Sequence, residues 1–143
     1  MKSLKQLLDE NRREVISVGP GDTVLQALNL MAKHDIGALL VMDQGKPAGI
    51  FSERDYARKV VLHGKSSKDV PVREVMSEKV IYVKLAQTVE ECMAVMTDRH
   101  IRHLPVLDEA GQVVGFLSIG DMVKETISEQ KFLIEQLEHY ITR

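Results

Sequence analysis

Ile36-Gly37-Ala38-Leu39-Leu40-Val41-Met42-Asp43, then Gly49-Ile50-Phe51-Ser52-Glu53-Arg54-Asp55, is a passage that returns later in the chain. It comes back as Ile101-Arg102-His103-Leu104-Pro105-Val106-Leu107-Asp108 and Gly115-Phe116-Leu117-Ser118-Ile119-Gly120-Asp121. The first parts lie 65 positions apart and the second parts 66, so the second turn carries one extra residue. The 65-residue shift also holds upstream, pairing Val15-Ile16-Ser17-Val18 with Val80-Ile81-Tyr82-Val83, Thr23-Val24 with Thr88-Val89, and Met31 with Met96. Chance does not keep one register over about forty positions, so the chain is a tandem duplication.

Each copy reads as β-α-β-β-α. A short alternating strand (Val15–Val18; Val80–Val83) meets a turn, Gly19-Pro20-Gly21 in the first copy. A helix follows, with Leu25, Leu28 and Ala32, or Cys92, Val95 and Met96, at helical spacing, and Asp22 is the expected cap. Two β-rich runs around a turn come next, 38–43 with 48–51 and 103–108 with 113–117, and Ser52 and Ser118 open a second helix. The expected segments are 10–63 for the first repeat, 64–79 for a linker, 80–125 for the second repeat and 126–143 for an amphipathic tail. Residues 3–13, with Leu4, Leu7 and Leu8, suit a short amphipathic helix, and 72–76 allows at most a helical turn. The stretch from Met122 to Tyr140 has no Gly or Pro, and Ile127, Ile134 and Ile141 recur every seven residues beside Leu133, Leu137 and Tyr140. That stripe either packs back on its own domain or covers a partner, most simply a second copy of the chain.

Composition narrows the function classes. The 143 residues suit one compact domain, and 19 Lys and Arg against 21 Asp and Glu leave a net charge of −2. No overall field recruits nucleic acid or an acidic membrane. A single cysteine, Cys92, excludes a disulfide framework, and its match to Ala27 suggests a small core hydrophobe. The histidines are scattered and suggest no metal site. The N-terminus lacks the apolar run of a signal peptide, and no segment approaches the roughly 18 apolar residues of a membrane span. A soluble cytoplasmic protein is expected. Neither Gly-x-Gly-x-x-Gly, a P-loop nor a nucleophile elbow occurs.

The two ordered copies resemble the CBS-domain pair, the family named after cystathionine β-synthase, over about residues 10–125. The resemblance implies an α+β fold: two β-α-β-β-α units packed about a pseudo-twofold axis, flanked by N- and C-terminal helices, with two equivalent clefts between them. It also implies homodimers that bind AMP, ADP, ATP, NAD or S-adenosylmethionine and regulate an attached or separate protein. With no catalytic domain in the chain, a stand-alone, non-enzymatic sensor is expected, its regulated partner unidentified.

Within that frame Gly115-x-x-Ser118-x-x-Asp121 reads as nucleotide chemistry. Gly115 permits close backbone approach, Ser118 offers a hydroxyl and helix-start N–H groups to phosphate, and the two oxygens of Asp121 suit a ribose diol. Gly49, Ser52 and Asp55 repeat the set. Ser-x-x-Asp before an apolar run is equally a helix-capping box, and both readings stand at this point. Arg102 and His103 suit phosphate by the family pattern, or are solvated strand-end residues; Arg54 is the first copy's own phosphate candidate. The family pattern gives the base slot to Val15, Ile16, Ile36 and Gly37 for the Asp121 cleft, and to Val80, Ile81 and Ile101 for the Asp55 cleft. All of these serve as core residues if no ligand binds. Asp55→Asn is expected to lose less affinity than Asp121→Asn if phosphate affinity follows Arg102 and His103. Two function classes follow: an adenine-nucleotide sensor, or a dimerisation and interaction protein with vestigial clefts.

Overall fold

A computed structural model describes residues 2–11 and 13–142. Helix α1 (Leu4–Glu10) precedes two equivalent units. The first contains β1 (Ser17–Val18), α2 (Val24–His34), β2 (Ala38–Asp43), β3 (Lys46–Ser52) and α3 (Glu53–Asp55), which widens into a π-helical turn at Tyr56–Val61. The second contains β4 (Val83–Lys84), α4 (Val89–Arg99), β5 (His103–Leu107), β6 (Val113–Ser118) and α5 (Ile119–Ile141). Each unit has a three-stranded sheet, β1-β2-β3 or β4-β5-β6, with the first pair parallel and the second antiparallel. The antiparallel register sets Ser52 opposite Ala38 and Ser118 opposite His103. Each helix-opening serine therefore lies beside the start of its central strand. This is the α+β tandem architecture that the repeat implied.

The edge strands are shorter than their apolar runs. Only Ser17 and Val18 pair with β2, and Val15-Ile16, like Val80-Ile81, stands outside the ladder. In both copies the cap of the first helix is threonine rather than the preceding residue. Thr23 accepts from the Gln26 N–H at 3.1 Å and Thr88 from the Glu91 N–H at 3.1 Å, each within a full capping box. Asp22 instead closes the preceding turn, accepting the Gly19 N–H at 2.8 Å. The buried face of α2 is Val24, Ala27 and Met31, whereas Leu25 and Leu28 are half-buried and Ala32 is exposed. Two apolar stripes lie side by side on this helix, and the sheet takes the one holding the smaller side chains.

Each core is completed by the segment that precedes the other unit. Leu4 and Leu7 of α1 join the second core, and the Leu4 N–H donates to the Gln87 carbonyl at 2.8 Å. Val70, Val72 and Val75 of the join, around a 3-10 turn at Val72–Glu74, join the first core, and the Val72 N–H donates to the Asp22 carbonyl at 2.8 Å. This exchange binds the two units to each other.

Cys92 is fully buried in the second core, where desolvation pushes its thiol up to about 11. Native protein at pH 8 is expected to resist a thiol reagent that labels the urea-unfolded chain at once. Prompt labelling without urea would contradict the burial.

Helix α5 joins the second helix of the repeat and the tail in one 23-residue rod. Met122 is buried, but Ile127 is 47% exposed and Leu137 61%. Phe132, Leu133, Ile134, Tyr140 and Ile141 are also exposed, so beyond the contact of Thr126 with Met93 the tail does not pack back on its own domain.

Candidate functional site

Two clefts of about 530 and 560 Å³ lie between the units. In each, the strand-to-helix corner of one unit faces the segment just before the first strand and the helix-to-strand corner of the other. The Asp55 cleft brings together Ser52, Arg54, Asp55, Ile81, Ile101, Arg102 and His103. The Asp121 cleft brings together Ser118, Asp121, Ile16, Ile36, Gly37 and His103. Gly37 and His103 line both. Val15 and Val80 line neither, because neighbours on an extended segment point opposite ways and Ile16 and Ile81 take the inward positions. Arg102 lines the Asp55 cleft and not the Asp121 cleft, so the two candidate phosphate residues do not act as a pair in the Asp121 cleft.

The structure adds residues that no motif signalled: Arg13, Glu14, His34, Asp35 and Phe116 at the Asp121 cleft, and Ser77, Lys79 and His100 at the other. Apart from Phe116, which lies in β6, they come from connecting segments and helix ends. The repeat itself held the one available clue, since Glu14 and Asp35 occupy the register positions of Lys79 and His100.

Both Ser-x-x-Asp sets form complete capping boxes. Ser118 Oγ accepts from the Asp121 N–H at 3.1 Å while Asp121 Oδ2 accepts from the Ser118 N–H at 2.8 Å. The Ser52–Asp55 pair does the same at 3.2 and 2.9 Å. The Ile119 N–H donates to the Arg102 carbonyl and the Glu53 N–H to the Gly37 carbonyl. Most of the helix-start donors expected to be free for phosphate are therefore engaged inside the protein. The second carboxylate oxygens remain directed at cations: Asp121 Oδ1 lies 2.8 Å from the Arg13 guanidinium and Asp55 Oδ1 3.2 Å from Lys59 Nζ. One oxygen fixes each carboxylate and the other carries its exchangeable contact. A ribose diol would compete with the cation for that second oxygen.

Burial raises the Asp121 carboxyl, but the Ser118 N–H and the Arg13 guanidinium outweigh it, holding it below the ordinary carboxylate range. His103 stacks on Phe116 with ring centroids 5.6 Å apart. Burial pushes it below the ordinary histidine value of 6.5, and Arg102 adds to this while Asp121 opposes it. Both shifts make the folded state more stable at neutral pH than in acid. A depressed histidine keeps its full contribution above 6.5 and loses it as acid protonates the unfolded chain first; a depressed carboxylate loses its contribution at still lower pH. Urea unfolding is thus expected to show lower stability at pH 5 than at pH 7, with His103→Leu flattening that difference. Equal pH dependence in the variant would remove His103 as the cause.

Comparison with known proteins agrees with this architecture. A CBS-domain protein from Burkholderia ambifaria is 48% identical, with a TM-score of 0.85 over 90% of this chain and 96% of that one. The mitochondrial CBS-domain protein CBSX3 of Arabidopsis thaliana is 41% identical over 84% of this chain, which spans 60% of the plant protein's length. A CBS-domain protein of Pyrobaculum aerophilum, solved with AMP, is 26% identical with a TM-score of 0.74, covering 83% of this chain and 88% of its own. The CBS-domain pair of protein MJ0100, solved with 5′-methylthioadenosine and S-adenosylmethionine, is 25% identical with a TM-score of 0.76, covering 87% of this chain and 99% of its own. The CBS-domain family model matches residues 5–62 and again 72–128, so this chain, duplicated in sequence and in fold, belongs to the CBS-domain family.

Proposed function

We propose that the chain is a regulatory module that binds adenine nucleotides or related adenosyl ligands in its two clefts and passes the ligand state to a partner protein, without catalysing a reaction. The observation that carries this reading is the paired geometry: each cleft sets a carboxylate, fixed through one oxygen by its own helix cap, beside apolar side chains of the opposite unit. The related structures with AMP, and with S-adenosylmethionine and 5′-methylthioadenosine, support adenine as the common element. AMP, ADP, ATP and NAD are the nucleotides to compare. No described helix is long and apolar enough to cross a membrane. A ligand at 100 times its dissociation constant should stabilise the fold by about 2.7 kcal/mol. Thermal unfolding with each nucleotide, 5′-methylthioadenosine and S-adenosylmethionine at millimolar concentration tests this, and no shift with any of them would refute it.

A second reading, an assembly module, draws on the uncovered apolar face of α5. The two readings are compatible if the module works as a homodimer. Ile134→Glu is expected to lower the association state measured by sedimentation if the tail forms the contact; an unchanged state would place the contact elsewhere.

A further inference from the structure

The two clefts share a fold and an aspartate but not a charge. Among the described residues, the Asp55 cleft is lined by three permanent cations, Arg54, Lys79 and Arg102, against two carboxylates, Glu53 and Asp55. The Asp121 cleft is lined by one, Arg13, against three carboxylates, Glu14, Asp35 and Asp121. Formal lining charge is therefore +1 in one and −2 in the other. The duplication shows where the difference arose. At matched positions Lys79 stands for Glu14, His100 for Asp35, Arg102 for Gly37 and Arg54 for Gly120. All four replacements make the Asp55 cleft the more positive. The lone cation of the Asp121 cleft is, moreover, already paired with Asp121.

We infer that the clefts sort adenine ligands by charge: the Asp55 cleft takes a phosphorylated nucleotide, and the Asp121 cleft takes an adenosyl ligand without phosphate, neutral or cationic at its 5′ side. This inference rests on the reading of both clefts as adenine sites. A phosphomonoester carries between one and two negative charges at neutral pH and is well matched by arginine, which donates two parallel hydrogen bonds to it. In the Asp121 cleft the same group would meet Glu14 and Asp35, and even with Arg13 displaced from Asp121 by the ribose the described lining residues set one permanent cation against three carboxylates. A thioether or sulfonium substituent avoids that repulsion, and a sulfonium is attracted. Most of the charges are exposed, so the preference is expected to weaken as salt rises.

Calorimetric titration of the full chain with AMP, 5′-methylthioadenosine and S-adenosylmethionine, at low and high salt, tests the inference. Asp55→Asn should weaken AMP tenfold or more and leave the other two ligands unchanged. Asp121→Asn should do the reverse. Lys79→Glu, an exposed replacement that carries little folding risk, should weaken AMP several-fold at low salt, and Glu14→Lys should create a second AMP site per chain. If all three ligands bind but a single variant abolishes them together, or AMP fills both clefts equally, the sorting is wrong and the adenine reading survives. If none of the three binds, the adenine reading falls and the sorting with it.

Discussion

Asp121→Asn should weaken its cleft's ligand ten- to a hundredfold while lowering fold stability by no more than about 1 kcal/mol. The two losses come from different oxygens. Oδ2 accepts the Ser118 N–H and belongs to the helix cap; Asn retains an acceptor there, so the cap loses a fraction of a kcal/mol to about 1. Oδ1 meets Arg13, whose side chain is 61% exposed, so this ion pair adds little to stability. That oxygen is the one a ribose hydroxyl can reach by displacing the guanidinium. An amide NH2 there supplies a donor where an acceptor is needed, and a lost hydrogen bond to a charged group is worth about 1.5–3 kcal/mol. Titration combined with urea unfolding separates the effects: lower stability with unchanged affinity would leave Asp121 a capping residue and nothing more. Asp55→Asn makes the matching test in the other cleft. The sequence expectation of a smaller loss there took Arg102 and His103 as partners of Asp121. With Arg102 lining the Asp55 cleft, that basis is gone, and AMP affinity should fall at least as far in Asp55→Asn.

Periodicity and duplication carried the architecture because both are local properties of the chain. The two hairpins, the serine-opened helices and the buried Cys92 were legible from alternation, turn residues and register alone. Positions set by contact with the other unit were not. Nor was the buried face of α2, because two apolar stripes share that helix and only packing chooses between them. The cleft charges were hidden for a similar reason. Glu14, Asp35, Lys79 and His100 sit in connectors and at helix ends, where no period marks them, and they matter only once the opposite unit closes over them. Capping and ligand binding are rival readings of Ser-x-x-Asp in the sequence, whereas the two carboxylate oxygens would let one residue serve both.

Gly49 and Gly115 show how far packing, rather than ligand approach, explains a repeated glycine, and Gly49→Ala is expected to destabilise the fold by about 1–3 kcal/mol, the usual range for overpacking. Neither glycine lines a cleft; their inner neighbours do not leave space for a ligand. A Cβ on Gly49 would stand 2.7 Å from Met76 Sδ and 2.8 Å from the Ser77 carbonyl oxygen. That oxygen accepts the Ile50 N–H at 3.0 Å while Ile50 accepts the Ser77 N–H at 2.9 Å, so the join cannot move without breaking a paired backbone contact. The nearest neighbours of a Cβ on Gly115 would instead be side-chain atoms of Leu8, its two methyls at 2.9 Å and Cγ at 3.5 Å, and that side chain can rotate. Gly115→Ala should therefore lose less than Gly49→Ala, and Leu8→Ala should recover most of the clash in the double variant. Met76→Ala should recover only part of the Gly49→Ala loss, because the Ser77 carbonyl remains. Melting temperature reports these differences at roughly 3–4 °C per kcal/mol for a chain of this size. If both alanine variants keep the parental melting temperature but lose nucleotide affinity, the glycines exist for ligand approach after all, and the exchange of segments between the units is looser than these distances require.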